Sequence, residues 1–96
     1  MSIDLDKLPI GTEVKIVDEW RKATAGHQNS NGRMDIYLGS YLTIKGINHY
    51  DYIMVDDDNW YWSPELFEKV KLPDSDIWYS VEFSPLLNKY VAEEIS

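Results

Sequence analysis

Tyr50-Asp51-Tyr52-Ile53-Met54-Val55-Asp56-Asp57-Asp58-Asn59-Trp60-Tyr61-Trp62-Ser63-Pro64-Glu65 carries most of the information about the fold. Its first six residues are rich in aromatic and β-branched side chains, which suit a pleated, half-buried strand. Asp56-Asp57-Asp58-Asn59 follows as a tight turn, because short acidic and amide side chains tolerate left-handed backbone and bond to it locally. Trp60-Tyr61-Trp62 then predicts a second strand, in which alternation puts both tryptophans on one face and Tyr61 on the other. Ser63-Pro64-Glu65 presents a helix N-cap, a first-turn proline and a first-turn acid in order, so a single helical or 3₁₀ turn is expected over Pro64 to Lys69. A short last strand around Val70 to Leu72 completes this part.

Moving toward the N-terminus, Tyr41-Leu42-Thr43-Ile44-Lys45 is another strand, and Gly46-Ile47-Asn48-His49 has the length of a hairpin link. Three strands joined by short turns form a meander. Arg21 to Arg33 is polar and rich in small residues, and reads as a long surface loop of the kind that often carries function. Before it, Leu8-Pro9-Ile10-Gly11-Thr12 is a turn signal, and in Glu13-Val14-Lys15-Ile16-Val17-Asp18 the apolar Val14 and Ile16 alternate with charged residues. Toward the C-terminus the alternation of Ile77, Tyr79, Val81 and Phe83 predicts a further strand. Ser84-Pro85 then predicts the start of a helix, with Leu87, Tyr90, Val91 and Glu94 at helical spacing and Leu86 and Ile95 beside them.

The chain has 96 residues and no cysteine, with 17 acids against 9 bases and a net charge of −8. That length supports one modest core. Disulfides, thiolate metal sites and a cysteine nucleophile are excluded, and the absence of cysteine fits a reducing compartment. No apolar run reaches the roughly 20 residues of a membrane helix, and MSIDLDKLPIG lacks the features of a signal peptide, so the expected location is cytoplasmic. Residues 1–48 carry six acids and six bases, whereas residues 49–96 carry eleven acids against Lys69, Lys71 and Lys89. All the net charge therefore sits in the second half. Direct nucleic-acid binding is not expected, because it draws on Lys and Arg to neutralise phosphates.

The order of elements predicts a mainly β fold, a small SH3-like barrel over residues 10–72 with a C-terminal strand and helix extension over 73–96 packed on it, in one domain spanning 1–96. Gly32-Arg33-Met34-Asp35-Ile36-Tyr37-Leu38-Gly39 and Trp60-Tyr61-Trp62-Ser63-Pro64-Glu65-Leu66-Phe67-Glu68, with Gly11-Thr12-Glu13-Val14-Lys15-Ile16 and Leu42-Thr43-Ile44, resemble a family of short phage and prophage proteins with an SH3-like domain. The resemblance covers about two-thirds of the chain and implies a fold and a phage-type origin, hence a host-cell cytoplasm, without a defined activity. Signalling SH3 domains begin A-L-Y-D-Y, which is missing here, so proline-rich peptide binding is not implied.

Candidate functional residues divide into two sets. Trp20, Arg21 and His27 at the long loop, with Tyr50, Tyr61 and Trp78 as outward rings, are candidate protein-binding anchors, since Trp, Tyr and Arg are favoured at interfaces. Asp51, Asp56, Asp57, Asp58, Asp74, Asp76, Glu82, Glu93 and Glu94 would form the face of an acidic nucleic-acid mimic that blocks a host defence nuclease or another DNA-binding protein. The plainer reading of the acids is solubility. Trp60, Trp62, Tyr52 and Phe67 are expected in the core. Asp56-Asp57-Asp58-Asn59 lacks the ligand spacing of a calcium loop, with Trp60 and Tyr61 at the fifth and sixth places. No nucleophile, base and oxyanion donor are recognisably grouped, and no phosphate loop or metal-ligand spacing occurs. The chain is therefore expected to be non-enzymatic and cofactor-free, with a host or phage protein as its partner.

Overall fold

Alternation builds the sheet. In a computed structural model that describes residues 2–21, 30–48 and 51–95, Val14 and Ile16 of β2 (Glu13–Ile16) are fully buried while Glu13 and Lys15 point outward. The same two-residue period buries Leu42 and Ile44 of β3 (Tyr41–Asn48), Tyr52 and Met54 of β4 (Asp51–Met54), and Trp62 of β5 (Asp57–Trp62). β6 (Phe67–Lys71) adds Phe67 and Val70, β7 (Trp78–Ser84) adds Tyr79 and Val81, and β8 (Lys89–Glu94) adds Ala92. β1 (Ser2–Ile3) completes the described strands. The protein is mainly β.

All neighbours are antiparallel, in the order β1-β8-β7-β6-β2-β3-β4-β5. Among the described residues β1 and β5 are the end strands, and the sheet is not closed. It bends instead. β3 pairs with β2 through its first half and with β4 through its second, and its register shifts between Ile44 and Gly46. A further shift lies at Lys15/Ile16 in the β2–β6 ladder, and each such bulge adds local twist. One apolar cluster, running from Leu5 to Ala92, forms the core.

The turn at the start of β2 is the one expected. Gly11 takes φ +96°, the Thr12 amide and hydroxyl both donate to the Pro9 carbonyl at 3.2 and 2.7 Å, and Thr12 is thereby buried without an unpaired hydroxyl. One core side chain helps to fasten the N-terminal segment. Tyr52, fully buried, donates its hydroxyl to the Leu5 carbonyl and accepts the Leu8 amide at 3.0 Å. Burial pushes the Tyr52 phenol above its ordinary pKa of 10.0.

Four expectations are corrected. The largest concerns the C-terminus, where no helix forms: residues 85–88 turn the chain and β8 pairs with β7 from Ser84↔Lys89 to Tyr79↔Glu94. The turn explains this. The Ser84 hydroxyl accepts the Leu87 amide at 3.3 Å, and Asn88 at φ +54° takes the left-handed conformation that reverses the chain and ends any helix. Second, the helical turn after Ser63 covers only Pro64–Leu66, and β6 starts at Phe67 because Phe67 and Leu66 are both needed in the core. Ser63 makes no side-chain cap. Third, Gly46 to Asn48 belong to β3 rather than to a link, and the next turn is Val55-Asp56, with Asp57 already paired to Met54. Fourth, Ser30–Tyr37 is a 3₁₀ segment that buries Met34, so the end of the long polar stretch has regular backbone.

Candidate protein-binding face

The register of the sheet fixes what lies on its outer side. Residues directly opposite one another share a face, so Thr43, Glu13, Lys71 and Trp78 form one row across β3, β2, β6 and β7. The Ile95 amide donates to the Trp78 carbonyl at 3.1 Å, which extends that row by one apolar residue. Tyr41, Lys15, Lys69, Ser80 and Glu93 form the adjacent row. Glu82 and Val91 form part of a third.

Charges on these rows are mostly paired. Lys15 Nζ lies 2.8 Å from Glu68 and 3.1 Å from Asp18, and the bond to Glu68, ahead of that to Asp18, raises its pKa above 10.5 against the effect of burial. Lys71 Nζ is 3.9 Å from Glu13 and donates to the Ser75 carbonyl. Lys69 differs. Among the described residues no carboxylate pairs with it, and its Nζ sits 4.9 Å from the Trp78 ring and 5.7 Å from the Tyr41 ring. The two rings meet edge to face with centroids 5.7 Å apart, so they lean toward each other across the outer side of β2 and β6. Tyr41 is 49 % exposed, and Ile95, opposite Trp78 in register, is also exposed. Two rings, one isoleucine and one cation that no described acid pairs with therefore form an accessible patch.

The other sequence-predicted anchors fall elsewhere. Trp20 is half-buried against the core, and its Nε1 donates to Asp35 at 2.6 Å. Arg21 is a brace. Its guanidinium donates to the carbonyls of Glu65, Phe67 (2.7 Å) and Val81 (2.8 Å) and lies 4.9 Å from the Tyr90 ring. It thereby supplies donors where the β6–β7 ladder gives way to the Pro64–Leu66 turn, and ties the β7–β8 hairpin to the rest of the sheet. Burial lowers its pKa below the ordinary arginine value, with Tyr90, Glu68, Glu65 and Glu82 acting against that. Tyr61 is exposed on β5. His27 and Tyr50 lie outside the described residues.

The candidate acids are spread over several places. Asp51 opens β4, and Asp56 in the Val55-Asp56 turn accepts the Thr43 amide at 2.9 Å. Asp57 and Asp58 begin β5, and their side chains lie outside what is described. Asp74, at φ +63°, and Asp76 occupy the β6–β7 connection. Glu82 and Glu93 share the outer face of the hairpin, while Glu94, opposite Tyr79, is on the other side. Among the described residues no three His, Asp or Glu side chains converge as a metal site would require, and no helix is long and apolar enough to cross a membrane.

Sequence reasoning passed over Tyr41, Lys69 and Ile95. Tyr41 was legible, because Leu42 and Ile44 as core residues leave it facing out. Ile95 was assigned to a helix stripe and so was placed against the sheet. Comparison with protein-family models, with curated proteins and with solved structures returned no match.

Proposed function

We propose that this chain is a non-enzymatic protein-binding module, an SH3-like barrel of the phage type with a β-hairpin extension, acting in the cytoplasm of a bacterial host. Its contact centre is the outer patch of Tyr41, Trp78 and Ile95 around Lys69. Support for the barrel comes from strand order, since β2, β3, β4 and β5 form a meander with β6 beside β2, and the 3₁₀ turn Pro64–Leu66 joins β5 to β6. Support for the phage-type origin is the motif resemblance alone.

The observation that carries the binding reading is the aromatic pair on the solvent side of the sheet with a cation lying against both rings. Tyr and Trp bring large contact area at low entropic cost, and such residues dominate binding energies where they become fully covered. A partner that buries the rings also buries Lys69, so it brings an acceptor, a carboxylate or a carbonyl, to that point. The remaining acids would set association rate and salt dependence around this centre.

The test is a pair of baits, wild type and Trp78→Ala, incubated with bacterial lysate at low and high salt and read by quantitative mass spectrometry. Loss of a central Trp anchor costs about 2 kcal/mol or more, roughly thirtyfold in affinity. A partner held by the wild type at high salt and depleted on the variant supports the reading. Equal recovery on both baits, with the variant's thermal unfolding confirming an intact fold, sinks it.

A further inference from the structure

The tip of the β7–β8 hairpin is apolar in a way the fold does not require. Leu86 is 93 % exposed, and Leu87 and Phe83 are also exposed, so a knob of aliphatic and aromatic surface projects from the molecule. Its conformation is fixed from within by the Ser84–Leu87 bond, by left-handed Asn88, by the edge-to-face contact of Phe83 with Tyr90 at 5.4 Å, and by Arg21 over Tyr90. Beside the knob lies an open cleft of about 300 Å³, lined by Ile3, Leu5, Leu87, Tyr90 and Val91, with Asp4 and Lys89 also on its wall. β1 covers β8 only at Ala92 and Glu93, which leaves this part of the β8 edge facing the cleft.

We propose that the occupant of this cleft is a second copy of the chain, docked hairpin to hairpin so that Leu86 of each copy enters the cleft of the other. A two-fold interface must be complementary to itself. This surface meets that condition twice. It carries a knob and a hollow side by side, and it carries one acid and one base, Asp4 and Lys89, which a two-fold axis brings into reciprocal pairs. Charge also argues for this occupant. From Phe83 to Ala92 the only charged residue is Lys89, in a half of the chain that otherwise holds eleven acids. Among the described residues Lys89 forms no ion pair, and Asp4 uses one carboxylate oxygen to accept the Asp6 amide, leaving the other available. A stable interface takes about 800 Å² from each partner, a large share of a total surface of 5987 Å² and more than one hairpin tip supplies. The dimer is accordingly weak, with a dissociation constant on the order of tens of micromolar.

The inference is independent of the outer-face reading, and the experiment separates them. Sedimentation velocity in about 0.15 M salt, where the Debye length is about 8 Å, is run across a hundredfold concentration series reaching millimolar. The expected result is a shift from the 11.2 kDa monomer toward twice that mass as concentration rises. Leu86→Glu abolishes the shift. Lys89→Glu and Asp4→Asn each weaken it about tenfold, Asn being chosen because it still caps the Asp6 amide. Trp78→Ala leaves it unchanged. A wild-type chain that stays monomeric throughout overturns the proposal, as does a dimer indifferent to Leu86→Glu. Unchanged thermal unfolding of the exposed-site variants shows that each result reports association.

Discussion

Replacing Arg21 by Met removes a brace whose worth can be counted from its partners. The guanidinium donates to three backbone carbonyls, and each hydrogen bond to a charged group contributes about 1.5–3 kcal/mol net. The Tyr90 ring adds about 0.5–1 kcal/mol. A plain sum overshoots, because all the bonds share one side chain, water replaces part of them in a half-buried setting, and desolvation of the guanidinium, visible in its lowered pKa, acts in the opposite direction. The expected loss is about 2–4 kcal/mol, a large part of the roughly 5–15 kcal/mol that holds a domain folded. Urea unfolding should show this as a lower midpoint, and thermal unfolding as a fall of roughly 10–25 °C. Lys at the same position keeps the charge but not the planar fork, so Arg21→Lys should fall between wild type and Met. Amide exchange localises the effect, with faster exchange in β7 and β8 at denaturant levels that leave β2 and β3 protected. A Met variant within about 0.5 kcal/mol of wild type, with hairpin exchange unchanged, would refute the reasoning.

Other changes have definite expected outcomes. Tyr52→Phe leaves the Leu5 carbonyl and Leu8 amide without their shared partner and should cost about 1–3 kcal/mol, read from urea unfolding. Tyr52 and Lys15 both have pKa values raised on folding, so their stabilisation is complete below their unfolded values of 10.0 and 10.5 and is lost as pH rises through the folded ones. Unfolding midpoints measured from pH 8 to 11 should therefore fall above about pH 10, and the fall should be smaller in Tyr52→Phe. Ser63→Ala, despite replacing a residue at an N-cap position, should stay within about 0.5 kcal/mol of wild type, because the Ser63 hydroxyl is buried and makes no cap. Gly39→Ala should destabilise by about 1–2 kcal/mol, since φ is +76° and the new Cβ would stand 2.9 Å from an Asp18 oxygen that has to move.

Local patterns in the sequence carried the strands well and the long-range ties poorly. Val14, Ile16, Leu42, Ile44, Tyr52 and Trp62 could be placed in the core because a two-residue period needs only neighbouring positions to be seen. The end of the chain shows the limit. Leu87, Tyr90, Val91 and Glu94 satisfy helical spacing, yet Tyr90 and Ala92 also satisfy a strand, and the choice between them was made by Asn88 and by a ladder to β7 that spacing alone does not reveal. Arg21 shows it more sharply, because its three acceptors lie 44, 46 and 60 positions away. Polar company in the sequence made it a free loop cation, whereas the fold makes it a brace. The outer patch was half legible: Trp78 stood out as a ring opposite the buried face, but its pairing with Tyr41 depends on the order β3-β2-β6-β7, which joins residues far apart in sequence.

The proposed contact centre is most directly tested by a photo-crosslinking residue placed at Tyr41, with Ile10, more exposed still on the β1–β2 connection, as the control position. In bacterial cells expressing the chain, the account predicts one discrete covalent adduct with a partner protein from position 41, competed away by excess wild-type chain and not by Trp78→Ala, and none from position 10. Adducts that are the same from both positions, or an adduct from position 41 that Trp78→Ala competes as well as wild type does, would contradict it.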